Sequence, residues 1–293
     1  MKYKIYDNSI NFSGNSTTLN RLSNLLYLER TKNNIGNLIG IHAYKFGKEV
    51  INRNINFILI ICGTDINKDI YEEEKKYIIM TALKQARYIV VFNSYLLNKV
   101  ISLGIDKNKV KLIKQSIEKP LLSDFNLRKK ININPSRIYL MVGNLRKEKD
   151  PMFLANTFHW LYKKNNIVLV IIGKMIEKYS FPEGIIHIDG LNSSDIYSCM
   201  RQVSGLVNTS ISEVISYSIL EAMKLGCPVY ARNNKGNRSI ISHGLTGFLF
   251  EDSYEFVNCL RIEPHLIIGL AYNYMNFVHN TSLEKDKYLK LIV

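Results

Sequence analysis

Short apolar runs alternate with amphipathic segments along almost the whole chain, and this alternation restricts the fold more than any other feature of the sequence. In the first half, the predicted strands are residues 2–6, 38–43, 57–62, 88–92 and 110–113. Helices are expected at about residues 17–29, 68–86 and 94–103. Strands that take turns with helices are typical of parallel sheets with crossover helices, so we predict an α/β fold.

The alternation starts again after a polar, proline-bounded stretch, KPLLSDFNLRKKININPSR. Further strands are predicted at residues 137–142, 167–172, 185–188, 204–208, 228–231 and 247–250, and further helices at 151–164, 194–201, 216–225 and 253–261. We therefore predict two Rossmann-like domains, residues 1–125 and 137–265, with a linker at 126–136 and a helical segment at 266–293. The first domain is expected to be short, because only about eight residues separate its first helix from the strand IGIHAY.

The segment NTSISEVISYSILEAMKLGCP carries two glutamates eight positions apart around a predicted helix start. Glu213 falls in the loop after an apolar strand, and Glu221 falls about one turn into the helix. The backbone N–H groups near Ser216, Tyr217 and Ser218 form the positive end of that helix, which favours a phosphate ligand. Taken alone, the pattern also fits a helix-capping Glu213 and a solvated Glu221.

This segment resembles the Glu-x7-Glu signature of family 4 glycosyltransferases, which are retaining enzymes of the GT-B fold. The segments that follow it match as well, namely LEAMKLGCPVYARNNKGN and HGLTGFLF. Earlier segments match in the correct order, namely FSGNSTTLNRL, IHAYKFG, CGTDIN and MVGNLRKEKDP. The resemblance covers about residues 10–258, and it is strongest to a group that has vertebrate and microbial members.

The resemblance implies two Rossmann-like domains that face each other across a cleft, and a nucleoside-diphosphate sugar, expected to be a UDP-sugar, as the donor. It also implies that the helical segment at 266–293 packs back on the first domain. Glu213 would hold hydroxyls of the transferred sugar and Glu221 would hold the ribose. Arg146 and Lys149 would neutralise the departing diphosphate. The sequence contains no Asp-x-Asp motif, so no metal cofactor is expected and positive side chains with a helix dipole would replace one.

Other site residues follow from the same resemblance. Gly14 lies in the loop before the first helix and would approach the donor. Ser216 and Tyr217 would offer the helix start to the diphosphate, and the backbone near Gly173 would contact the base. Gly14 alone also fits ordinary entry into a helix, and the basic pair after the strand at 137–142 also fits a solvated turn.

In the first domain, His42 and Asp65 match positions that lie near the transferred sugar or acceptor in relatives, although a histidine at a strand end often has a structural role. Three residues depart from the family pattern. Cys62 replaces a histidine, Val214 replaces a glycine, and Asn144 stands where relatives have arginine. The departures at Cys62 and Val214 favour the alternative, which is a catalytically degenerate, glycosyltransferase-like binding protein, whereas Asn144 means that Arg146 matches the family pattern less well than Lys149 does.

The chain of 293 residues has a net charge of +14, and its first 130 residues hold 22 Lys and Arg against 11 Asp and Glu. This excess suits a phosphorylated or lipid-linked acceptor or peripheral contact with an anionic membrane, but it also fits a compositional bias. The basic residues are dispersed without an aromatic-basic module, so nucleic acid is not an expected partner. The four cysteines are scattered, no apolar run reaches about 18 residues, and the start lacks a signal-peptide core. These properties agree with a cytoplasmic location, which we expect for the enzyme that the resemblance implies.

Overall fold

A computed structural model describes residues 3–7, 14–33, 35–118 and 120–292 of the chain. The chain divides into two compact units. The first unit comprises Met1–Ser116 together with His279–Val293, and the second comprises Ile117–Val278. Each unit is built on one six-stranded sheet whose strands all pair in parallel.

The sheet of the first unit follows the order β2-β1-β3-β4-β5-β6. Its strands are β1 (Tyr3–Tyr6), β2 (Arg30–Thr31), β3 (Asn37–Ile41), β4 (Phe57–Ile60), β5 (Tyr88–Val91) and β6 (Val110–Leu112). All four residues of β4 are buried, and their sequence, FILI, is the continuous apolar run expected of a strand that is covered on both faces. β2 was not predicted. It has only two residues and leads to β3 without a helix, which accounts for the short connection after the first helix.

The helices of the first unit are α1 (Gly14–Leu26), α2 (Ala43–Val50), α3 (Thr64–Asn67), α4 (Glu73–Gln85), α5 (Ser94–Ser102) and, from the end of the chain, α12 (Thr281–Ile292). The helix predicted at 68–86 is interrupted, because a 3₁₀ turn at Asp69–Tyr71 precedes α4, and α3, which comes before both, was not predicted. α2 was not predicted, although its buried residues Ala43, Phe46, Gly47 and Val50 recur at helical spacing.

The sheet of the second unit follows the order β12-β11-β10-β7-β8-β9. Its strands are β7 (Arg137–Val142), β8 (Ile167–Ile172), β9 (Ile185–Ile188), β10 (Gly205–Asn208), β11 (Val229–Arg232) and β12 (Phe248–Phe250). Its helices are α6 (Leu127–Ile131), α7 (Ala155–Asn165), α8 (Ser193–Met200), α9 (Tyr217–Lys224), α10 (Ser253–Cys259) and α11 (His265–Val278). Alternate residues of β7 enter different cores, since Leu140 packs with Leu220 and Met223, whereas Tyr139 packs with Phe158.

The boundaries of the two units differ from the predicted domain boundaries both before β7 and after β12. The predicted linker at 126–136 contains α6, and Leu127 is fully buried in the core of the second unit. The predicted last helical segment is two helices. α11 belongs to the second unit and packs on α9, whereas α12 belongs to the first unit and contacts α1. Within the described residues, no helix combines the length and the apolar character that crossing a membrane requires.

A buried ion pair ties α12 to the rest of the first unit. Glu284 on α12 accepts two hydrogen bonds from the guanidinium of Arg21 on α1, at 2.6 and 2.7 Å. The backbone N–H of Ser116 donates to the same carboxylate at 2.7 Å. The Glu284 side chain is fully buried, so these three charge-assisted bonds replace its hydration.

We expect Glu284→Ala to destabilise the protein by about 3–5 kcal/mol, because the substitution leaves the Arg21 guanidinium buried without its carboxylate. Urea unfolding of the whole chain measures this loss. Asp286→Ala, on the exposed side of the same helix, is the matched control and should change stability by less than about 0.5 kcal/mol. Equal effects of the two substitutions would contradict the role of the ion pair.

Candidate functional site

The carboxyl ends of β7 and β10 form the point at which the strand order of the second sheet reverses. β7 is the first strand of this unit in the chain, and it lies between β8 and β10 in the sheet. The connections after β7 and β10 therefore leave in opposite directions and open a crevice at that edge. Lys149 lies in the connection after β7, in a 3₁₀ turn at Lys147–Lys149, and Glu213 lies in the loop after β10.

Lys149 and Glu213 meet at this edge in an ion pair between Nζ and Oε1. Ser210 Oγ donates to the same Glu213 oxygen at 2.8 Å. The side chains of Lys149 and Glu213 keep 19% and 13% of their surface exposed, so the pair is partly shielded from water yet open to a ligand. Two further hydrogen bonds join the same loops, since Thr209 Oγ1 donates to the Lys149 carbonyl at 2.8 Å and the Ile211 backbone N–H donates to the Glu148 carbonyl at 3.0 Å.

Arg146 does not join this pair. Its side chain is 56% exposed, and its Nε lies 3.7 Å from a carboxylate oxygen of Glu148. The predicted basic pair is thus separated in the structure, with Lys149 at the sheet edge and Arg146 at the surface. Two residues lie between Arg146 and Lys149 in sequence, and the 3₁₀ turn directs the two side chains differently.

The loop after β10 ends where α9 begins. Ser216 is the N-cap residue of α9, and its hydroxyl accepts from Asn208 Nδ2 at 3.2 Å and contacts Ser218 Oγ at 3.0 Å instead of capping the helix. Tyr217 is the first residue of α9. The backbone of this first turn carries the positive end of the helix dipole. The anion-binding site predicted at Ser216 and Tyr217 therefore adjoins the loop that holds Glu213.

Glu221 is the fifth residue of α9 and accepts a hydrogen bond from the Tyr197 hydroxyl at 3.1 Å. Burial raises the pKa of Glu221 to about 7, and the hydrogen bond from Tyr197 opposes this rise. Burial, together with the charge of Glu221, raises the pKa of Tyr197, which therefore stays a hydroxyl donor. Near neutral pH, Glu221 is therefore partly protonated, and a ligand with hydroxyl donors would favour its ionised form.

Two glycines bring the ends of β7 and β8 close together. Gly173 has φ +156°, and an ideal Cβ on it would lie 2.1 Å from the Gly143 carbonyl oxygen. His187 Nε2 lies 2.7 Å from the Gly173 carbonyl and donates to it. An ideal Cβ on Gly143 would lie 3.6 Å from Cε of Lys149. Gly173 is therefore required by the close approach of two strand ends, in addition to the base contact predicted for it.

In the first unit, Asp65 is fully buried and accepts four backbone N–H groups. The donors are Ala43 (2.9 Å), Cys62 (3.2 Å), Gly63 (2.8 Å) and Ile66 (3.0 Å). Both carboxylate oxygens are thus engaged by the loops after β3 and β4. This arrangement gives Asp65 the geometry of a residue that holds two loops together.

His42 is a buried N-cap of α2 with φ +74°, an uncommon conformation for a residue other than glycine. Its Nε2 lies 3.0 Å from Thr64 Oγ1 and 3.6 Å from Asp69 Oδ2. Burial lowers the pKa of His42, so the neutral ring is favoured. Gly14 is the first residue of α1, and the segment at 8–13 that precedes it lies outside the described residues.

Sequence reasoning missed several side chains at the edge of the second sheet. Arg232 stacks on the Phe153 ring at 3.9 Å and bonds Asp150, next to Lys149, at 2.8 Å. Asn208 and Asn237 bond to each other at 3.2 Å beside the loop that holds Glu213. The available signal was the polar run RNNKGN, which begins with the last residue of β11, because strand ends at this edge of a parallel sheet face the crevice.

Within the described ranges, no three His, Cys, Asp or Glu side chains are grouped so that they could hold a metal ion. The charged groups at the sheet edge are instead Lys149, Glu213, Arg232 and Asp150, paired as two ion pairs. Such an arrangement can bind an anion with its cations and polar hydroxyl groups with its carboxylates.

Comparisons with known proteins agree with this geometry. The model of the family "Glycosyl transferases group 1" matches residues 123–256. The chain is 35% identical over 283 residues to Glycosyltransferase 1 domain-containing protein 1 of Xenopus tropicalis, and the match covers 86% of this chain and 80% of that protein.

More distant matches extend the comparison. The chain is 25% identical over 220 residues to UDP-Gal:alpha-D-GlcNAc-diphosphoundecaprenol alpha-1,3-galactosyltransferase of Escherichia coli, with 65% of this chain and 57% of that protein covered. The structure of Anabaena Alr3699/HepE in complex with UDP-glucose superposes with a TM-score of 0.82 at 12% identity, and 99% of each chain is covered. By the Xenopus relative and the family model, this chain belongs to the group 1 glycosyltransferases, and its two parallel sheets have the GT-B fold.

Proposed function

We propose that this glycosyltransferase moves a sugar from a nucleoside-diphosphate sugar, with a UDP-sugar as the expected donor, and retains the configuration of the anomeric carbon. The observation that carries the proposal is the Lys149–Glu213 ion pair at the reversal point of the second sheet, beside the start of α9. A cation and a helix N-terminus suit a diphosphate, and a partly exposed carboxylate suits sugar hydroxyls. The UDP and UDP-glucose complexes of the structural neighbour favour the uridine nucleotide.

In the proposed reaction, the bond between the anomeric carbon and the β-phosphate oxygen breaks, and the acceptor oxygen attacks the same face of the sugar. Lys149 and the first turn of α9 stabilise the negative charge that builds on the departing phosphate. That phosphate oxygen takes the acceptor proton, so no further base is required. Arg146 supplies a second cation from the surface of the same connection.

Glu213 holds the sugar hydroxyls and Glu221 holds the ribose hydroxyls in this proposal. Glu213 is already oriented by Ser210 and Lys149, so the sugar meets a pre-positioned acceptor of hydrogen bonds. Glu221 is oriented by Tyr197 from α8. The backbone of Gly173 is proposed to contact the base, and Gly14 the donor. Because Lys149 and the helix dipole supply positive charge, we propose that the reaction needs no metal ion, and that EDTA leaves turnover unchanged.

In the first unit, we propose a ligand contact for His42 and a loop-holding role for Asp65. The support for Asp65 is its set of four backbone donors, which leaves a ligand little access to its oxygens. His42 is held in a strained conformation, and such strain is concentrated at functional sites.

The acceptor is proposed to carry a phosphate or a lipid-linked diphosphate. The enzyme is proposed to be cytoplasmic and to contact an anionic membrane peripherally. The first unit supports this with 21 Lys and Arg against 11 Asp and Glu. The Escherichia coli relative acts, by its name, on a diphosphoundecaprenol-linked sugar.

We expect UDP at 100 times its dissociation constant to stabilise the purified protein by about 2.7 kcal/mol, whereas GDP and ADP give smaller shifts. Lys149→Ala should weaken UDP binding roughly 10- to 100-fold, because a charge-assisted contact with the phosphate is lost. Lys147→Ala, in the same turn and exposed, is the matched control and should bind UDP like the wild type. Thermal shift and calorimetric titration measure both effects, and equal losses in the two variants would contradict the assignment of Lys149.

Donor hydrolysis separates the enzyme from the alternative, a catalytically degenerate binding protein. We expect slow release of glucose from UDP-glucose without an acceptor, and a loss of at least about tenfold in Glu213→Gln, since sugar contacts at the reacting centre are removed. Binding of UDP without any release of sugar, over hours at high protein concentration, would instead establish the degenerate protein.

The Glu221 carboxyl gives a test that needs no donor. Its pKa is raised from 4.5 to about 7, so between these values the folded protein keeps a proton that the unfolded chain has lost, and its stability falls as the pH rises. Glu221→Gln removes this loss of stability. Its free energy of unfolding should therefore exceed that of the wild type by an amount that grows to about 3 kcal/mol between pH 4.5 and 7.5. Glu263→Gln, at an exposed position, is the control. Denaturant unfolding across this range measures the difference, and parallel curves for wild type and Glu221→Gln would refute it.

A further inference from the structure

The segment at 233–238, NNKGNR, packs directly against the loop at 209–216 that carries Glu213. Asn234 Nδ2 donates to the Ser210 carbonyl at 2.8 Å. Asn237 Nδ2 donates to Asn208 Oδ1 at 3.2 Å, where β10 ends. Gly236 faces the backbone of Glu213. The segment therefore contacts the end of β10 at Asn208, the start of the loop at Ser210 and the middle of the loop at Glu213.

A glycine is needed at position 236 because there is no room for a side chain, and not because of the backbone conformation. Its φ of −71° and ψ of −48° are open to any residue. An ideal Cβ at this position would lie 2.1 Å from the Glu213 carbonyl oxygen and 2.4 Å from the carbonyl carbon. Because backbone atoms cannot move aside like a flexible side chain, any larger residue must displace Glu213 or the segment itself.

A pair of buried amides connects the segment to both ends of the loop. Asn208 is 5% exposed, and its Oδ1 accepts from Asn237 Nδ2 and from the Ser210 backbone N–H, each at 3.2 Å. Its Nδ2 donates to Ser216 Oγ at 3.2 Å, at the start of α9. Asn237 is fully buried, and its Nδ2 also donates to the Arg232 carbonyl at 2.9 Å. Removing the Asn237 amide takes one hydrogen-bond donor from each of two acceptors, the Asn208 amide oxygen and the Arg232 carbonyl, and each keeps a single backbone donor.

We propose that Gly236 and Asn237 are positioning residues for Glu213, which set the place of its carboxylate at the sheet edge. This inference rests on the proposed function, since it assigns the sugar contact to Glu213. Catalytic groups must be held within about 0.5 Å of their productive place, and a displacement of about 1 Å costs roughly 100-fold in rate. The segment at 233–238 acts as the rigid support that provides this precision.

Hydrogen exchange of the ligand-free protein tests the contact between the two loops without any assumption about the donor. Gly236→Ala and Asn237→Ala should each accelerate exchange of the amides at 209–216 at least tenfold. Gly269→Ala is the matched control, because an ideal Cβ on Gly269 meets no atom within 4 Å, and it should leave that exchange unchanged. Asn237→Asp, which keeps the shape but loses the donor, replaces Asn237→Ala if that variant fails to fold. Wild-type exchange in Gly236→Ala and the Asn237 variant overturns the proposal.

Kinetics then separate a positioning role from a merely structural one. With UDP-glucose, we expect Gly236→Ala to lower the kcat of donor hydrolysis at least tenfold while the Kd of UDP changes less than threefold, because α9 and Glu221 are not displaced. Faster exchange with an unchanged kcat also overturns the positioning role. A wild-type protein that neither binds UDP nor hydrolyses UDP-glucose contradicts the proposed function instead, and the exchange experiment alone then decides whether the segment holds the loop.

Discussion

The parallel pairing of β7 with β10 is the constraint on which the site in the second unit depends. Gly205 pairs with Tyr139 and Leu206 with Leu140, so two strands far apart in sequence end at the same edge. Their connections leave in opposite directions, and the side chains that follow each strand converge there. Lys149 and Glu213 form their ion pair because of this pairing, although 64 positions separate them.

The loop that holds Glu213 buries polar side chains at both of its ends. Asn208, Thr209, Ser210 and Ser216 are each at most 5% exposed. Burial of such groups is costly unless they are hydrogen-bonded, and here they bond to one another, to Asn237 and to the connection after β7. A loop satisfied in this way has few alternative conformations, which suits a site that must hold a carboxylate in place before a ligand arrives.

The first unit shows how the same residue types can have different roles. Asp65 and Glu213 were both predicted to lie near a transferred sugar, and both follow strands of parallel sheets. Asp65 is surrounded by backbone donors and is fully buried, whereas Glu213 faces a lysine and keeps part of its surface exposed. The difference lies in how closely the neighbouring loops approach, which the motifs GTDIN and SEVIS do not reveal.

The sequence by itself determined the α/β class, the strands at the centre of both sheets and the position of Glu213 before the helix that carries Glu221, because apolar periodicity and helix-start signals are local. It did not reveal β2, α2 and α6, which are short and depend on neighbours, nor that the last helical segment is divided between two units. Only the tertiary structure decided that Lys149 and not Arg146 meets Glu213, and that Gly236 and Asn237 support that loop. These contacts join residues that are distant in sequence. They depend on how closely the elements pack, which a local sequence pattern does not show.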